Sequence, residues 1–148
     1  MTPRILTFFS SAIIAATLTV AAQAKDFPKG SPEFLTDYPA AVAAAKKSGK
    51  PMLVVFSASW CAPCQANKKN VYPSDAVKPF HDKFVWVYLD TDVPANADVA
   101  GKFKVTGIPH IQFLTKSGAP LDKTIGGTTP EQFAKTLKGV LKKATKKS

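Results

Sequence analysis

Ser57-Ala58-Ser59-Trp60-Cys61-Ala62-Pro63-Cys64-Gln65 (SASWCAPCQ) contains both cysteines of a chain of 148 residues. A disulfide that stabilises a small domain usually ties distant segments together, and a bridge across four residues constrains almost nothing. The pair follows Met52 to Ala58 (MLVVFSA), a continuous apolar run rich in β-branched and aromatic residues, as in a strand covered on both faces. The residues after it, to about Tyr72, read as helix. A strand-turn-helix puts Cys61 at the helix start, where unpaired N–H groups and the helix dipole favour a thiolate. Cys64 then lies one turn along on the same side and deeper in the fold. Pro63 suits a first turn, where its missing N–H costs nothing. The spacing fits a two-step exchange in which Cys61 reacts first and Cys64 resolves the mixed disulfide.

The chain opens MTPRILTFFSSAIIAATLTVAAQA, with one positive charge at Arg4, an apolar run from about Ile5 to Val20, and small residues at Ala22 and Ala24. This predicts a signal peptide over residues 1–24, removed after Ala24, and a periplasmic or secreted protein. A membrane anchor is the competing reading; against it, the run is short, broken by Thr and Ser, and followed directly by Lys25-Asp26. No cysteine stands at the cleavage site, which argues against lipid attachment. Outside the cytoplasm thiols meet oxidising conditions, so the dithiol needs an electron supply to remain reduced.

Lys25 to about Leu35, rich in Pro, Gly and Lys, reads as a linker, 36–145 as one domain, and 146–148 as a basic tail. Twenty basic residues oppose ten acidic ones, for a net charge of +10. That balance favours anionic surfaces or acidic partners, although lysines on a solvated helix face account for it too. No nucleic-acid-binding module accompanies the charge.

Along the domain, Thr36 or Asp37 caps an alanine-rich helix stopped by Gly49 and Pro51. Ser74 can start a short helical piece that Pro79 breaks. Phe84 to Leu89 is a second buried strand, and a short helix covers about Asn96 to Phe103. His110 to Thr115 and Leu121 to Ile125 form a hairpin around Lys116-Ser117-Gly118. Thr129-Pro130-Glu131 opens the last helix, whose apolar face is Phe133, Leu137, Val140 and Leu141. Strands joined through helices pair in parallel and the hairpin adds antiparallel strands, so the class is α/β, a mixed central sheet with helices on both faces.

A second landmark lies in Val105-Thr106-Gly107-Ile108-Pro109-His110. WCAPC after one strand, GIPH opening another, and the later Gly126 together resemble the thioredoxin superfamily, over roughly Lys46 to Leu141. KPMLVVFSASWCAPC is most similar to small exported thioredoxin-like domains. The resemblance implies a thioredoxin-like fold and a thiol-disulfide oxidoreductase with Cys61 as nucleophile and Cys64 as resolving thiol. It also implies that Trp60, Ile108 and Pro109 form the substrate-binding surface, with Pro109 cis. By the residues alone, Pro109 could equally open an edge strand in trans and Trp60 could be core. The resemblance implies no cofactor beyond the Cys61–Cys64 disulfide, protein disulfide or dithiol partners, a membrane electron donor, and a monomer.

Two departures stand out. Many relatives carry a carboxylate six residues before the first cysteine, where this chain has Val55, and thioredoxins proper set a lysine where it has Trp86. Without them, proton transfer at Cys64 falls to water or the partner. His110 is a candidate for redox tuning, since a protonated imidazole at the dithiol rim would favour the Cys61 thiolate; a strand residue with no redox role is the alternative. His81 reads as a surface residue. Pro between the cysteines resembles reductive relatives more than strong oxidants, so the expected function is a reductase or electron carrier. The alternative is a chaperone holding a soft metal ion on the two thiolates, with His110 as a candidate further ligand, although two sulfurs are an incomplete site.

Overall fold

A computed structural model of the chain describes residues 26–147; the expected signal peptide lies outside the described residues. Five strands form one sheet in the order β1-β3-β2-β4-β5. They are β1 (Phe34–Leu35), β2 (Met52–Ser57), β3 (Val85–Asp90), β4 (His110–Leu114) and β5 (Pro120–Ile125). β2 lies at the centre, every residue buried. It pairs in parallel with β3, Val55 opposite Tyr88, and antiparallel with β4, Val55 opposite Ile111. The order of parallel and antiparallel pairs follows from the connections: helical crossovers before β2 and β3, a tight hairpin between β4 and β5.

Alternation along the strands feeds two cores. Leu53, Val55, Trp86, Ile111 and Phe113 pack on one face with Val71, Tyr72 and, from α4 (Pro130–Lys146), Phe133, Leu137 and Val140. On the other face, Met52, Val54, Phe56, Val87 and Leu89 meet Ala41 and Ala45 of α1 (Tyr38–Ser48) and Phe103, just past α3 (Ala97–Lys102). Burying each large side chain contributes roughly 1.5–3 kcal/mol. Helix ends follow the sequence: Asp37 Oδ1 accepts from Ala40 N–H at 2.7 Å, Gly49 closes α1 in the left-handed region (φ 72°), and the Thr129 hydroxyl caps α4.

Residues 26–35, expected to be a linker, instead belong to the packed domain. Phe34 and Leu35 pair in parallel with Trp86 and Val87. Phe27 stacks on Phe34, ring centroids 4.2 Å apart, and meets Tyr88 edge-on at 4.9 Å. A two-residue strand has no periodicity to detect, and the flanking prolines and Gly30 masked the two aromatic anchors. His81, read as a surface residue, is half-buried: its Nε2 lies 2.8 Å from the Tyr72 carbonyl and its ring stands edge-on to Trp86. Burial pushes its pKa below the ordinary value.

Candidate active site

β2 ends at Ser57 and the chain turns through Ala58, Ser59 and Trp60 into α2 (Ala62–Ala66). Cys61 is the N-cap: its backbone is extended (φ −83°, ψ 99°), and Cys64 N–H donates to its Sγ at 3.3 Å. That sulfur thus takes the place of the side-chain oxygen in an ordinary N-cap. Pro63, second in the helix, surrenders an N–H that had no partner to lose. Gln65 reaches back from α2, its Nε2 donating to Ala58 O at 2.9 Å, and so braces the turn from below. Cys61 and Cys64 are joined in a disulfide, their Cα atoms 5.2 Å apart. Cys61 is 5% exposed and Cys64 2%, while Ala62 and Pro63 between them are exposed.

Ile108 packs against the cluster of Ala58, Cys61 and Cys64. The Ile108–Pro109 peptide bond is cis. Pro109 is buried and its carbonyl accepts from Gly126 N–H at 2.8 Å, so the hairpin end is tied to the same rim. Gly126 sits at φ 93°, a conformation suited to glycine. A side chain at Gly127 would place its Cβ 3.6 Å from Pro63 Cβ, which puts the Gly126–Thr128 stretch against the CAPC turn.

Trp60 is 70% exposed, so it is not core. Its indole N–H donates to Asp92 Oδ2 at 2.8 Å, and Asp92 N–H donates to Asp90 Oδ1 at 2.9 Å. The acidic loop after β3 therefore fixes a large apolar ring beside the dithiol with its face to solvent. The pairing spans 32 residues and leaves no local pattern in the sequence.

His110 is fully buried. Its ring meets Phe56 edge-on, centroids 5.7 Å apart, and its Nε2 lies 3.3 Å from Gln112 Oε1, while Nδ1 has no hydrogen-bond partner. Phe56 belongs to the α1 face of the sheet, whereas Val71, at the end of the turn continuing α2, belongs to the α4 face. Burial pushes the His110 pKa down, with Gln112 opposing, so the ring is neutral at pH 7. Val55 and Trp86 are buried at 1% and 2% in the aromatic core.

Two arrangements were missed in the sequence. Ser57, fully buried, brings its Oγ within 2.6 Å of the Tyr88 hydroxyl, a hydroxyl pair one pleat beyond Val55. Burial raises the Tyr88 pKa, keeping it protonated. Asn67, 1% exposed, begins the wider π-helical turn Asn67–Val71 that continues α2, and its Oδ1 accepts from Thr128 N–H at 3.2 Å. One amide thereby links the helix of the cysteines to the loop against Pro63. Polar residues inside an apolar run or helix carry no sequence mark of burial. Among the described residues, no group of three or more His, Cys, Asp or Glu could hold a metal ion.

With this geometry the arrangement supports dithiol-disulfide chemistry: a sulfur pair in bonding contact, one member at a helix start, under a half-open apolar rim. Comparisons with known proteins agree. A family model described as thioredoxin-like matches residues 33–116. Thioredoxin of Mycolicibacterium smegmatis is 34% identical over 94 residues, covering 64% of this chain and 81% of that protein. Thioredoxin H-type of Oryza sativa subsp. indica is 33% identical over 91 residues, covering 61% and 69%. Among solved structures, a thioredoxin from Thermus thermophilus superposes with TM-score 0.67 at 28% identity, covering 74% of this chain and 87% of its own. The C-terminal domain of Neisseria meningitidis DsbD in its oxidised form gives 0.60 at 17% identity, covering 72% and 97%, a likeness of fold alone.

Proposed function

The chain belongs to the thioredoxin-like family and is a thiol-disulfide oxidoreductase, and from that premise we propose that it is an exported reductase or electron carrier for protein disulfides, recharged by a membrane electron donor. The observation that carries this reading is the Cys61–Cys64 disulfide at the helix start, with Cys64 N–H directed at the Cys61 sulfur.

In the reduced protein, that N–H and the helix end favour the Cys61 thiolate. The thiolate attacks one sulfur of a substrate disulfide: a bond forms from Cys61 to that sulfur, the substrate S–S bond breaks, and the other substrate sulfur leaves as thiolate. Cys64, after losing its proton, attacks Cys61 Sγ. The Cys61–Cys64 bond forms, the mixed disulfide breaks, and the second substrate sulfur leaves. Two electrons pass to the substrate and the protein ends in the oxidised form. The donor's dithiol returns it by the reverse sequence. With Val55 in place of a carboxylate, the Cys64 proton goes to water or to the departing substrate thiolate.

Trp60, Ile108 and Pro109 would receive the peptide around the substrate sulfur, the exposed indole supplying apolar area at small entropic cost. His110, neutral and buried, would act on the dithiol only through the seating of the neighbouring Pro109. Export is supported by the charged start, apolar run and small-residue end of residues 1–24.

The test is Cys64→Ser in the native host. Lacking a resolving thiol, Cys61 should remain attached to its partners, recovered as mixed disulfides in the exported fraction. An accessible, alkylatable Cys61 that traps no protein would overturn the assignment, and partners confined to the cytoplasm would overturn export alone.

A further inference from the structure

The exchange chemistry makes no use of the outer face of α4. The helix buries Phe133, Leu137 and Val140. At 3.6 residues per turn, Lys135, Lys138, Lys142 and Lys146 fall within an arc of about 80° on the side opposite those three, a row about 17 Å long. All four are exposed. Among the described residues the ion pairs are Lys78–Asp75, Lys83–Asp82 and Lys143–Asp122, so none of the row is neutralised. Lysines three or four apart repel and weaken their helix, and the sole carboxylate of α4 is Glu131 in its first turn. The row therefore carries an uncompensated positive field.

We propose that this row is a docking surface for the anionic headgroups of a phospholipid bilayer. Charge complementarity selects the partner. Recognition of a particular protein carboxylate or nucleic-acid phosphate favours the planar fork of arginine, and the only arginine in the sequence is Arg4. A straight row of mobile point charges matches instead a flat, fluid, polyanionic surface. The proposal is independent of the redox reading, because its test does not involve the cysteines.

The full chain is assayed by flotation with vesicles of phosphatidylcholine alone or mixed with phosphatidylglycerol. Neutral vesicles report any contribution of the apolar run near residues 5–20. Each lysine near an anionic surface strengthens partitioning about fivefold at low salt. K135Q/K138Q/K142Q/K146Q should therefore weaken binding to the anionic vesicles by several-hundredfold, on the order of 10² to 10³. K29Q/K46Q/K47Q/K104Q removes the same charge elsewhere and should weaken it far less. The excess of binding to anionic over neutral vesicles should vanish near 1 M salt, where the screening length is about 3 Å. Unchanged binding to the anionic vesicles by the row variant would overturn the proposal, as would an equal loss in the control variant. Salt-sensitive binding to polyglutamate without binding to anionic vesicles would overturn it in favour of an acidic protein partner.

Discussion

Asn67→Ala tests whether the α2 turn and the Gly126–Thr128 loop are held as one unit. Asn67 Oδ1 accepts the Thr128 N–H at 3.2 Å across 61 residues of sequence. Its side chain is buried. The substitution therefore removes one acceptor and leaves a partly buried amide without a partner, at a cost of about 1–3 kcal/mol. For a domain of this size the expected fall in Tm is roughly 3–15 °C. The assay is urea unfolding combined with amide hydrogen exchange. The unfolding midpoint should drop with an unchanged m value, and Thr128 should lose protection relative to amides in β2. Destabilisation with Thr128 still fully protected would refute the bridge, as would no destabilisation at all.

Gly126→Ala should destabilise by about 1–2 kcal/mol, because φ 93° is strained for any residue with a Cβ. Gly127→Ala should cost less than about 0.5 kcal/mol by thermal unfolding, since its Cβ would meet Pro63 Cβ at an ordinary 3.6 Å; equal losses would contradict the local geometry. His81 and His110 both have pKa values lowered by burial from 6.5. The unfolded chain therefore takes up protons first, and stability is full above pH 6.5 and lost as pH falls below it toward the folded-state values. Urea midpoints measured from pH 7.5 to 5 should decline, and H81Q/H110Q should flatten that slope whatever its effect at neutral pH; an unchanged slope would contradict the assignment.

Much of the architecture is written in local pattern. The apolar run of β2, the glycine and proline stops around α1, and the Thr129 cap with its spaced apolar positions each act within a few residues, so their elements could be read. The dithiol was legible because WCAPC concentrates an uncommon chemistry in five positions. What escaped was long-range. β1 exists only because Phe34 and Leu35 find Trp86 and Val87. Trp60 is oriented by Asp92, and Asn67 accepts from Thr128, partners far apart in the sequence. His110 shows the same limit from the other side. Adjacency to Pro109 suggested the dithiol rim, but strand alternation turned its ring onto Phe56.

The central claim is that the start of α2 holds the Cys61 sulfur ionised. It is tested most directly by titrating the thiolate absorbance of reduced Cys64→Ser protein, in which Cys61 is the one remaining thiol. The expected inflection lies well below the value of about 8.5 for an unperturbed cysteine. An inflection at or above that value would mean that burial of the sulfur outweighs the helix end, contradicting the proposed nucleophile.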